Sequence, residues 1–396
     1  MSARRSLGPA AAFVALAGLV TWLWEQSGRQ VSDVTLYRAY GERIAHGLVP
    51  YRDFDLEYPP GSLPVFALPA LVSESRTGFA VALAVLLGLV AVAGIVVFGW
   101  TERREGIGVS SLSAVWLAVV APVVLGALLF TRYDLLPAVL TIATLAALLA
   151  GRPRLGGVVL GVAIAVKLYP VVLLPIAVAW AARRHGRAAA QWVAGLAVGV
   201  PALAYLPFAV VAPGGVAWSI GHQLSRPLQI ESLGSSLLLA AHQLGLVELS
   251  WSSGHGSQNL DGRAAATLAV VSSIVQLAVL VLVWWRFARG PATSARLVVH
   301  SAAAVVAFVA FGKVLSPQYL IWPLFLVPLA AALRGRTALG LYAAAATFTA
   351  LWFPARYWEL VREFDPVSSW LVLARNLALV VLVVVLLQRP AERLDR

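Results

Sequence analysis

Apolar residues in this chain are grouped into long runs that are separated by shorter polar segments. A helix needs about 20 mainly apolar residues to cross the hydrocarbon core of a bilayer, and such runs recur along the chain. The pattern predicts full spans at residues 8–24, 77–100, 108–130, 135–150, 188–212, 264–285, 297–312, 319–333, 337–354 and 369–388. We therefore expect an all-α polytopic membrane protein with about ten full spans, built as a single transmembrane domain over residues 1–396.

Two of the segments between these spans are long and polar. In the first, residues 25–76, the apolar part "GSLPVFALPALV" (61–72) is too short to span and contains two prolines. We expect it to lie as a helix at the membrane interface. A second interfacial helix is predicted by Asp33, Tyr37 and Tyr40, which share one helical face. The other polar segment, residues 213–262, is interpreted as a long loop.

The apolar run 155–182 begins and ends beside pairs of arginines, and it is too short to cross the membrane twice. At its centre, "VKLYP" contains Pro170, which breaks a helix at or before Tyr169. We predict a re-entrant helical pair whose apex, near Lys167, opens into a cavity, since unpaired backbone is tolerated at this depth only there. The alternative is one long, tilted and kinked helix.

The distribution of charge orients these spans. If the N-terminus is inside, 17 of the 30 basic residues but only four of the 18 acidic residues fall on the inner side. The positive-inside rule then predicts that both termini are cytoplasmic in a multi-pass protein of the cell membrane. The first apolar run resembles a signal peptide, but "EQSGRQ" follows it without a cleavage site, so we expect a retained helix. Both long polar segments are therefore expected on the outer face.

Composition excludes several classes of function. The chain is 60% hydrophobic and carries a formal net charge of +12. Its basic residues form short clusters between apolar runs and no continuous stripe, so nucleic acid is not expected as a partner. The absence of cysteine excludes disulfides and thiolate metal sites. The histidines show no ligand spacing, so neither a metal nor another cofactor is expected, although a site of carboxylates alone stays open.

The outer side gathers carboxylates and cations at the ends of predicted spans, and such groups beside a membrane cavity are functional candidates. Cations can hold a phosphate, and a carboxylate can take the proton of an acceptor hydroxyl. ATP is absent outside the cell, and the sequence contains no Walker motif. A lipid-linked phosphosugar that arrives through the bilayer satisfies both constraints.

Five segments of the chain stand out as motifs: "VSDVTLYRAYGERIAHGLVPYRDFDLEYPP", "TRYDLLPA", "GVAIAVKLYPVVLLP", "RPLQIESLGSS" and "GKVLSPQYLIWPL". They resemble segments of the polyprenyl-phosphate-mannose-dependent mannosyltransferases of glycosyltransferase family 87, which have the GT-C fold. Their order matches that of the family and their likeness covers most of the chain. The resemblance implies an inverting transferase, most simply of mannose. The donor would be polyprenyl-phosphate-linked, and the acceptor a hydroxyl of a cell-envelope glycolipid or polysaccharide.

The resemblance also implies roles for individual residues. Asp33 matches the carboxylate that acts as general base, and the alternative is that it only caps the helix that follows. Glu57 could act in catalysis, bind the sugar or acceptor with Tyr58, or form a structural salt bridge. The residues expected to bind the donor phosphate are Lys167, Lys313, Arg132, Arg226 and His222. Those expected to bind the sugar or acceptor, besides Glu57 and Tyr58, are Tyr169, Gln318, Tyr319 and Asp134.

Simpler explanations stay open for several of these residues. Arg132 and Asp134 could pair with each other, and His222 and Arg226 could belong to an ordinary solvated loop. For the whole chain the alternatives are a lipid-linked glycan flippase or transporter and an oligosaccharide ligase or polymerase. A transporter usually places ionisable groups near the bilayer midplane and often has internal repeats. This chain has its charges on one face and no detectable repeat.

Overall fold

The structure is a computed structural model that describes residues 3–27 and 31–388. It is nearly all helical. The N-terminal half contains α1 (Ala3–Gln26), α2 (Val34–Ala45), α3 (Leu63–Val72), α4 (Arg76–Glu105), α5 (Ser111–Val115), α6 (Ala121–Val124), α7 (Gly126–Leu129), α8 (Leu135–Leu149), α9 (Pro153–Val166), α10 (Leu174–His185) and α11 (Arg187–Val211).

The C-terminal half adds eight helices and one hairpin. The helices are α12 (Pro213–Leu224), α13 (Leu233–Gln243), α14 (Arg263–Arg289), α15 (Ser294–Phe311), α16 (Leu326–Arg334), α17 (Arg336–Trp352), α18 (Tyr357–Glu363) and α19 (Pro366–Leu387). The antiparallel hairpin is made of β1 (Trp251–Gly254) and β2 (Ser257–Leu260). Short 3-10 turns lie at Pro60–Ser62, Tyr169–Leu173 and Pro317–Ile321, and a π-helical turn at Trp116–Val120.

Six helices in the described part of the chain are long and apolar enough to cross a membrane. They are Leu7–Gln26, Arg76–Glu105, Arg187–Val211, Arg263–Arg289, Ser294–Phe311 and Pro366–Leu387. The pair α17 and α18, bent by 76°, makes a seventh if it is taken as one span. The prediction of a polytopic helical membrane protein is confirmed, whereas the count of about ten spans is not.

Prolines and a short helix account for the difference in count. The predicted span 108–130 is divided into α5, the π-helical turn, α6 and α7, and Pro122 within it cannot donate a helix hydrogen bond. The predicted span 319–333 is reduced to α16 because Pro317 begins a 3-10 turn before it. Helix α8 has 15 residues, so at about 1.5 Å per residue it is shorter than a bilayer core of about 30 Å.

The apolar run 155–182 is broken at its centre. Helix α9 ends at Val166, Lys167 is extended with φ −155° and ψ 139°, and a 3-10 turn leads into α10. The predicted break near Pro170 is therefore present. The re-entrant path of the two arms stays a prediction, because the helix break alone does not fix their depth in the bilayer.

The two long polar segments contain regular secondary structure within the described residues. Residues 25–76 contain α2, and α3 begins directly after the turn at Pro60–Ser62, so helices occur where both interfacial helices were predicted. The interpretation of residues 213–262 as a loop was wrong in detail, since they contain α12, α13 and the hairpin. The hairpin also corrects the expectation of a purely α fold.

Helix α15 forms the centre of the molecule. Almost every residue from Leu297 to Ala310 is buried, and the helix packs against α14, α16 and α19. Its sequence "SAAAVVAFVAF" is rich in small residues, which let neighbouring membrane helices approach closely. This rigid centre ends at Gly312, immediately before the segment that carries Lys313, Gln318 and Tyr319.

Candidate functional site

Asp33 lies directly before α2, and two side chains hold its carboxylate. Arg132 Nη1 forms an ion pair with Asp33 Oδ1, and Tyr37 Oη donates a hydrogen bond to Asp33 Oδ2 at 3.2 Å. Arg132 is fixed in turn because its Nη2 donates to the backbone oxygen of Val31 at 3.1 Å. The Arg132 side chain is only 6% exposed, whereas that of Asp33 keeps 28%. The carboxylate is therefore oriented by its partners and still open on one side.

The alternative that Asp33 only caps α2 is wrong. Asp33 occupies the N-cap position, but its side chain accepts no capping hydrogen bond. The hydroxyl of Ser32 accepts from the N–H of Val34 at 3.2 Å instead. A carboxylate at a helix start usually satisfies the free N–H groups there. Here the carboxylate is directed to Arg132 and Tyr37.

A second ion pair involves Asp134, which lies two residues after Arg132 in the chain. Lys167 Nζ donates to Asp134 Oδ1 at 2.6 Å, and Trp322 Nε1 donates to the same oxygen at 2.6 Å. Asp134 is completely buried, and a buried polar group is costly unless hydrogen-bond donors satisfy it. The alternative that Arg132 and Asp134 pair with each other is wrong, since each binds a distant segment. Lys167 as a phosphate ligand stays a prediction.

Aromatic rings fill the space around the two ion pairs. The ring of Tyr133 lies 5.6 Å from that of Tyr37 and 5.4 Å from that of Tyr58, edge to face in both cases. Lys167 Nζ lies 4.7 Å from the centre of the Tyr133 ring, within cation–π range. Tyr51 Oη donates to the backbone oxygen of Tyr58 at 2.6 Å. These contacts fix Tyr58 close to Tyr37, which binds Asp33, and its role in binding sugar or acceptor stays a prediction.

Glu57 is half-buried beside this group. Burial raises the pKa of Glu57, nearby Arg226 and Lys167 oppose that rise, and Asp33 adds to it. The backbone oxygen of Glu57 accepts a hydrogen bond from Gln223 Nε2 at 3.0 Å. The carboxylate of Glu57 is therefore close enough to Asp33, Arg226 and Lys167 to interact with their charges. We call Asp33, Glu57, Arg132, Asp134 and Lys167 the charged cluster.

The other predicted phosphate ligands, Lys313, Arg226 and His222, lie close to one another. Lys313 Nζ donates to the backbone oxygen of Leu224 at 2.9 Å, and burial next to Arg226 lowers the pKa of Lys313. The ring of His222 stacks on Trp218 at 4.6 Å and on His255 at 4.3 Å. Burial, His255 and Arg226 lower the pKa of His222. His222 therefore lies in a helix and not in a loop, with its side chain partly exposed, and the roles of His222 and Arg226 stay predictions.

Trp322 packs against two of the remaining predicted residues, Tyr169 and Tyr319. Its ring stacks on Tyr169 at 4.0 Å and on Tyr319 at 3.9 Å. Tyr169 is buried and its hydroxyl lies 3.2 Å from Thr141 Oγ1. Gln318 is half-buried next to Tyr319 in the 3-10 turn. Binding of a sugar or acceptor by Tyr169, Gln318 and Tyr319 stays a prediction.

Sequence reasoning missed three contributors to this region. Trp322 lies in an apolar run, where an aromatic residue is indistinguishable from ordinary core, and Tyr133 stands between the more conspicuous charges of Arg132 and Asp134. Arg375 carried a clear signal, because it is a single charge in the middle of an apolar span. It is completely buried, and its Nη2 donates to the backbone oxygen of Glu231.

The charged cluster contains a carboxylate, that of Asp33, which is oriented and partly exposed, and tyrosine rings surround it. Asp33 can accept a proton from a hydroxyl that approaches its open side. Lys167, Arg226 and Lys313 supply positive charge that could stabilise an anion. Within residues 3–27 and 31–388, no group of three or more His, Asp or Glu side chains is arranged to hold a metal ion.

Comparison with known proteins gives one informative match. No curated protein matches the chain. The sequence profile of glycosyltransferase family 87 matches residues 56–317, which is well over half of the chain and includes Glu57, Arg132, Asp134, Lys167, Arg226 and Lys313. Asp33 lies before the matched range. From this match, the chain belongs to glycosyltransferase family 87, a family of membrane glycosyltransferases.

Proposed function

We propose that this protein transfers a sugar, most simply mannose, from a polyprenyl-phosphate donor to a hydroxyl of a cell-envelope glycolipid or glycan. The reaction takes place on the extracytoplasmic face of the cell membrane, with both chain termini in the cytoplasm. The terminal arginines Arg389, Arg393 and Arg396, which contribute to this orientation, lie outside the described residues. Family membership supports the general class of reaction.

The observation that carries the proposal is the Asp33 carboxylate, held by Arg132 and Tyr37 and partly open. A general base must be fixed within hydrogen-bond reach of the proton that it takes. Arg132 and Tyr37 fix its direction, and the exposed fraction of its side chain leaves room for an acceptor hydroxyl.

The transfer follows from this arrangement. Asp33 takes the proton of the acceptor hydroxyl, whose oxygen forms a bond to the anomeric carbon of the sugar. The bond from that carbon to the phosphate oxygen breaks on the opposite face, and the lipid phosphate leaves with the electron pair. This displacement inverts the anomeric configuration. Lys167, Arg226 and Lys313 are the cations that stabilise the leaving phosphate by charge-assisted hydrogen bonds.

The test is the variant Asp33→Asn in the full-length protein, assayed with a short-chain polyprenyl-phosphate-mannose. An amide cannot take the proton, so we expect transfer to fall by about 10²- to 10⁴-fold, the usual contribution of a general base. Binding of the donor should change little. Asp53→Asn is the matched control, because Asp53 is a surface loop acid paired with Arg52.

Two outcomes would contradict the proposal. Unchanged turnover in Asp33→Asn removes Asp33 as the base. A wild-type protein that moves the labelled lipid between leaflets but releases no sugar from it supports the flippase alternative. Replacing mannose by arabinofuranose on the same carrier determines which sugar the site accepts.

A further inference from the structure

The hairpin of β1 and β2 is attached firmly to the segment before α13. Leu260 N–H donates to Leu228 O and Ile230 N–H donates to Gln258 O, both at 3.0 Å. Gln229 N–H donates to Lys313 O at 3.0 Å. The backbone at residues 228–230 thus joins the hairpin to the Lys313 segment. Because this connection runs through backbone hydrogen bonds, the tip of the hairpin is held at a fixed position.

The tip of the hairpin lies directly over Glu57. His255 and Gly256, its two turn residues, have positive φ angles of 56° and 64°, which fit a tight two-residue hairpin turn. A methyl group placed on Gly256 would lie 3.2 Å from Glu57 Oε1 and 3.4 Å from Oε2. Gly256 therefore approaches the carboxylate more closely than a residue with a side chain could unless Glu57 moved slightly.

His255 fixes the tip from the other side. Its ring stacks on His222 at 4.3 Å, and its Nε2 lies 3.2 Å from Ser225 Oγ. His222 in turn stacks on Trp218 of the same helix, α12. The tip is therefore held between α12 and the Glu57 segment, at the edge of the charged cluster.

The chemistry of this tip fits hydroxyl groups better than phosphate. The carboxylate of Glu57 repels an anionic group and accepts hydrogen bonds from hydroxyls. The turn contributes backbone amides, an imidazole and the serines of "SSGHGS", all typical partners of a sugar. Gly256 and Ser253 are exposed, so a sugar can reach the tip from water. The side chains expected to bind the phosphate of the donor are those of Lys167, Arg226 and Lys313.

We infer that the hairpin tip at His255 and Gly256, together with Glu57, forms the wall that selects the sugar of the acceptor. This inference rests on the proposed function and adds a specificity-determining element to it. The clearance at Gly256 sets how closely a hydroxyl of the acceptor sugar can approach the Glu57 carboxylate. The wall thus contacts the sugar of the acceptor, whereas the cations of Lys167, Arg226 and Lys313 contact the phosphate of the donor.

The test compares Gly256→Asn with Gly254→Ala in the full-length protein. Asparagine tolerates a positive φ better than most residues, so Gly256→Asn keeps the turn while it fills the space over Glu57. A methyl group on Gly254 meets no atom within 4 Å, which makes Gly254→Ala the matched control in the same hairpin. The probes are octyl α-mannopyranoside as acceptor and short-chain polyprenyl-phosphate-mannose as donor.

For Gly256→Asn we expect the KM for octyl mannoside to rise by about tenfold or more, a typical effect of misfit in a binding pocket. The KM for the donor and the slow transfer of mannose to water should stay within about twofold. Gly254→Ala should behave as wild type. An unchanged acceptor KM in Gly256→Asn, or equal changes in the KM values for donor and acceptor, would overturn the inference.

A binding measurement separates this inference from the proposed function. Tryptophan fluorescence can follow the binding of octyl mannoside without any turnover, since Trp218 stacks in the group that holds the tip. If the wild type transfers no mannose to octyl mannoside, the proposed function is contradicted. Weaker binding by Gly256→Asn than by Gly254→Ala would then still support the wall. Equal binding by the two variants would contradict it.

Discussion

At the scale of single residues, the direction of the Asp33 carboxylate depends on Arg132. The guanidinium pairs with Asp33 through Nη1 and binds the Val31 backbone through Nη2. A planar guanidinium can make both contacts at once, whereas an ammonium group is a point charge on a flexible chain. Arg132 therefore fixes the direction of the carboxylate that we propose as the base, in addition to pairing with its charge.

Replacing Arg132 by lysine keeps the charge and removes this planar fork. We expect kcat to fall by up to about 10²-fold, because small misplacements of a reacting group have effects of that size. The KM for the donor should change much less. Steady-state kinetics on the purified variant check this, and Arg38→Lys, which alters an Arg–Glu pair on the surface of α2, is the control. A kcat equal to that of wild type would mean that charge alone suffices at this position.

Part of this site was predictable from single residues, and the reason is the contrast between charge and apolar surroundings. Asp33, Arg132 and Lys167 stood out because ionisable groups near a membrane need a function or a partner. Their partners did not stand out. Arg132 and Asp134 are two residues apart, which suggested a mutual pair, but the fold supplies Asp33 and Lys167 from distant segments. Pairing across 33 or more positions cannot be deduced from spacing.

At the scale of elements, Asp134 joins three parts of the chain. It precedes α8 and binds Lys167 at the end of α9 and Trp322 after the 3-10 turn at Pro317–Ile321. Both donors use the same carboxylate oxygen, so one buried side chain fixes the ends of three elements. The elements themselves were only partly predictable. Hydropathy located the apolar runs, whereas the division of 108–130 and 319–333 depends on prolines and packing.

Replacing Asp134 by asparagine should destabilise the protein strongly. The amide oxygen can still accept from Trp322, but Lys167 loses its counter-charge while 15% exposed. Removing one partner of a buried ion pair costs about 3–5 kcal/mol. Thermal unfolding in detergent micelles measures the effect. Asp261→Asn, at an exposed carboxylate bonded to Ser252, is the matched control.

A double variant tests whether the lost charge pair is the cause. In Asp134→Asn with Lys167→Met, no unpaired charge remains, so the midpoint of unfolding should recover toward the wild-type value. Equal midpoints for the single and the double variant would attribute the loss to the Trp322 hydrogen bond instead.

At the scale of the whole molecule, Arg375 connects the last helix to the segment before α13. Arg375 and Asn376 both donate to the backbone oxygen of Glu231, and Asn376 Nδ2 also donates to Ser236 Oγ at 3.1 Å. Helix α19 packs against α13, α15 and α17. The polar junction therefore ties the C-terminal helices to the segment that carries the hairpin and Arg226.

Glu231 makes this junction sensitive to pH. Burial raises the pKa of Glu231 to about 7, with Arg375 opposing the rise, from an ordinary value near 4.5. Between pH 4.5 and about 7, Glu231 is therefore protonated in the folded state and ionised in the unfolded state. Stability from this group is complete below pH 4.5 and is lost as the pH rises through about 7. The shift corresponds to about 3 kcal/mol.

We therefore expect the thermal unfolding midpoint of the wild type to decrease as the pH is raised from 5 to 8. The midpoint of Glu231→Gln should decrease much less. The neutral amide cannot ionise, while the backbone oxygen that binds Arg375 is retained. Glu248→Gln is the control, because Glu248 is an exposed acid in the same segment. Arg375→Met gives an independent check of the cause. Since Arg375 lowers the pKa of Glu231, its removal should move the fall in stability to higher pH, and a fall that stays at the same pH would mean that another group titrates.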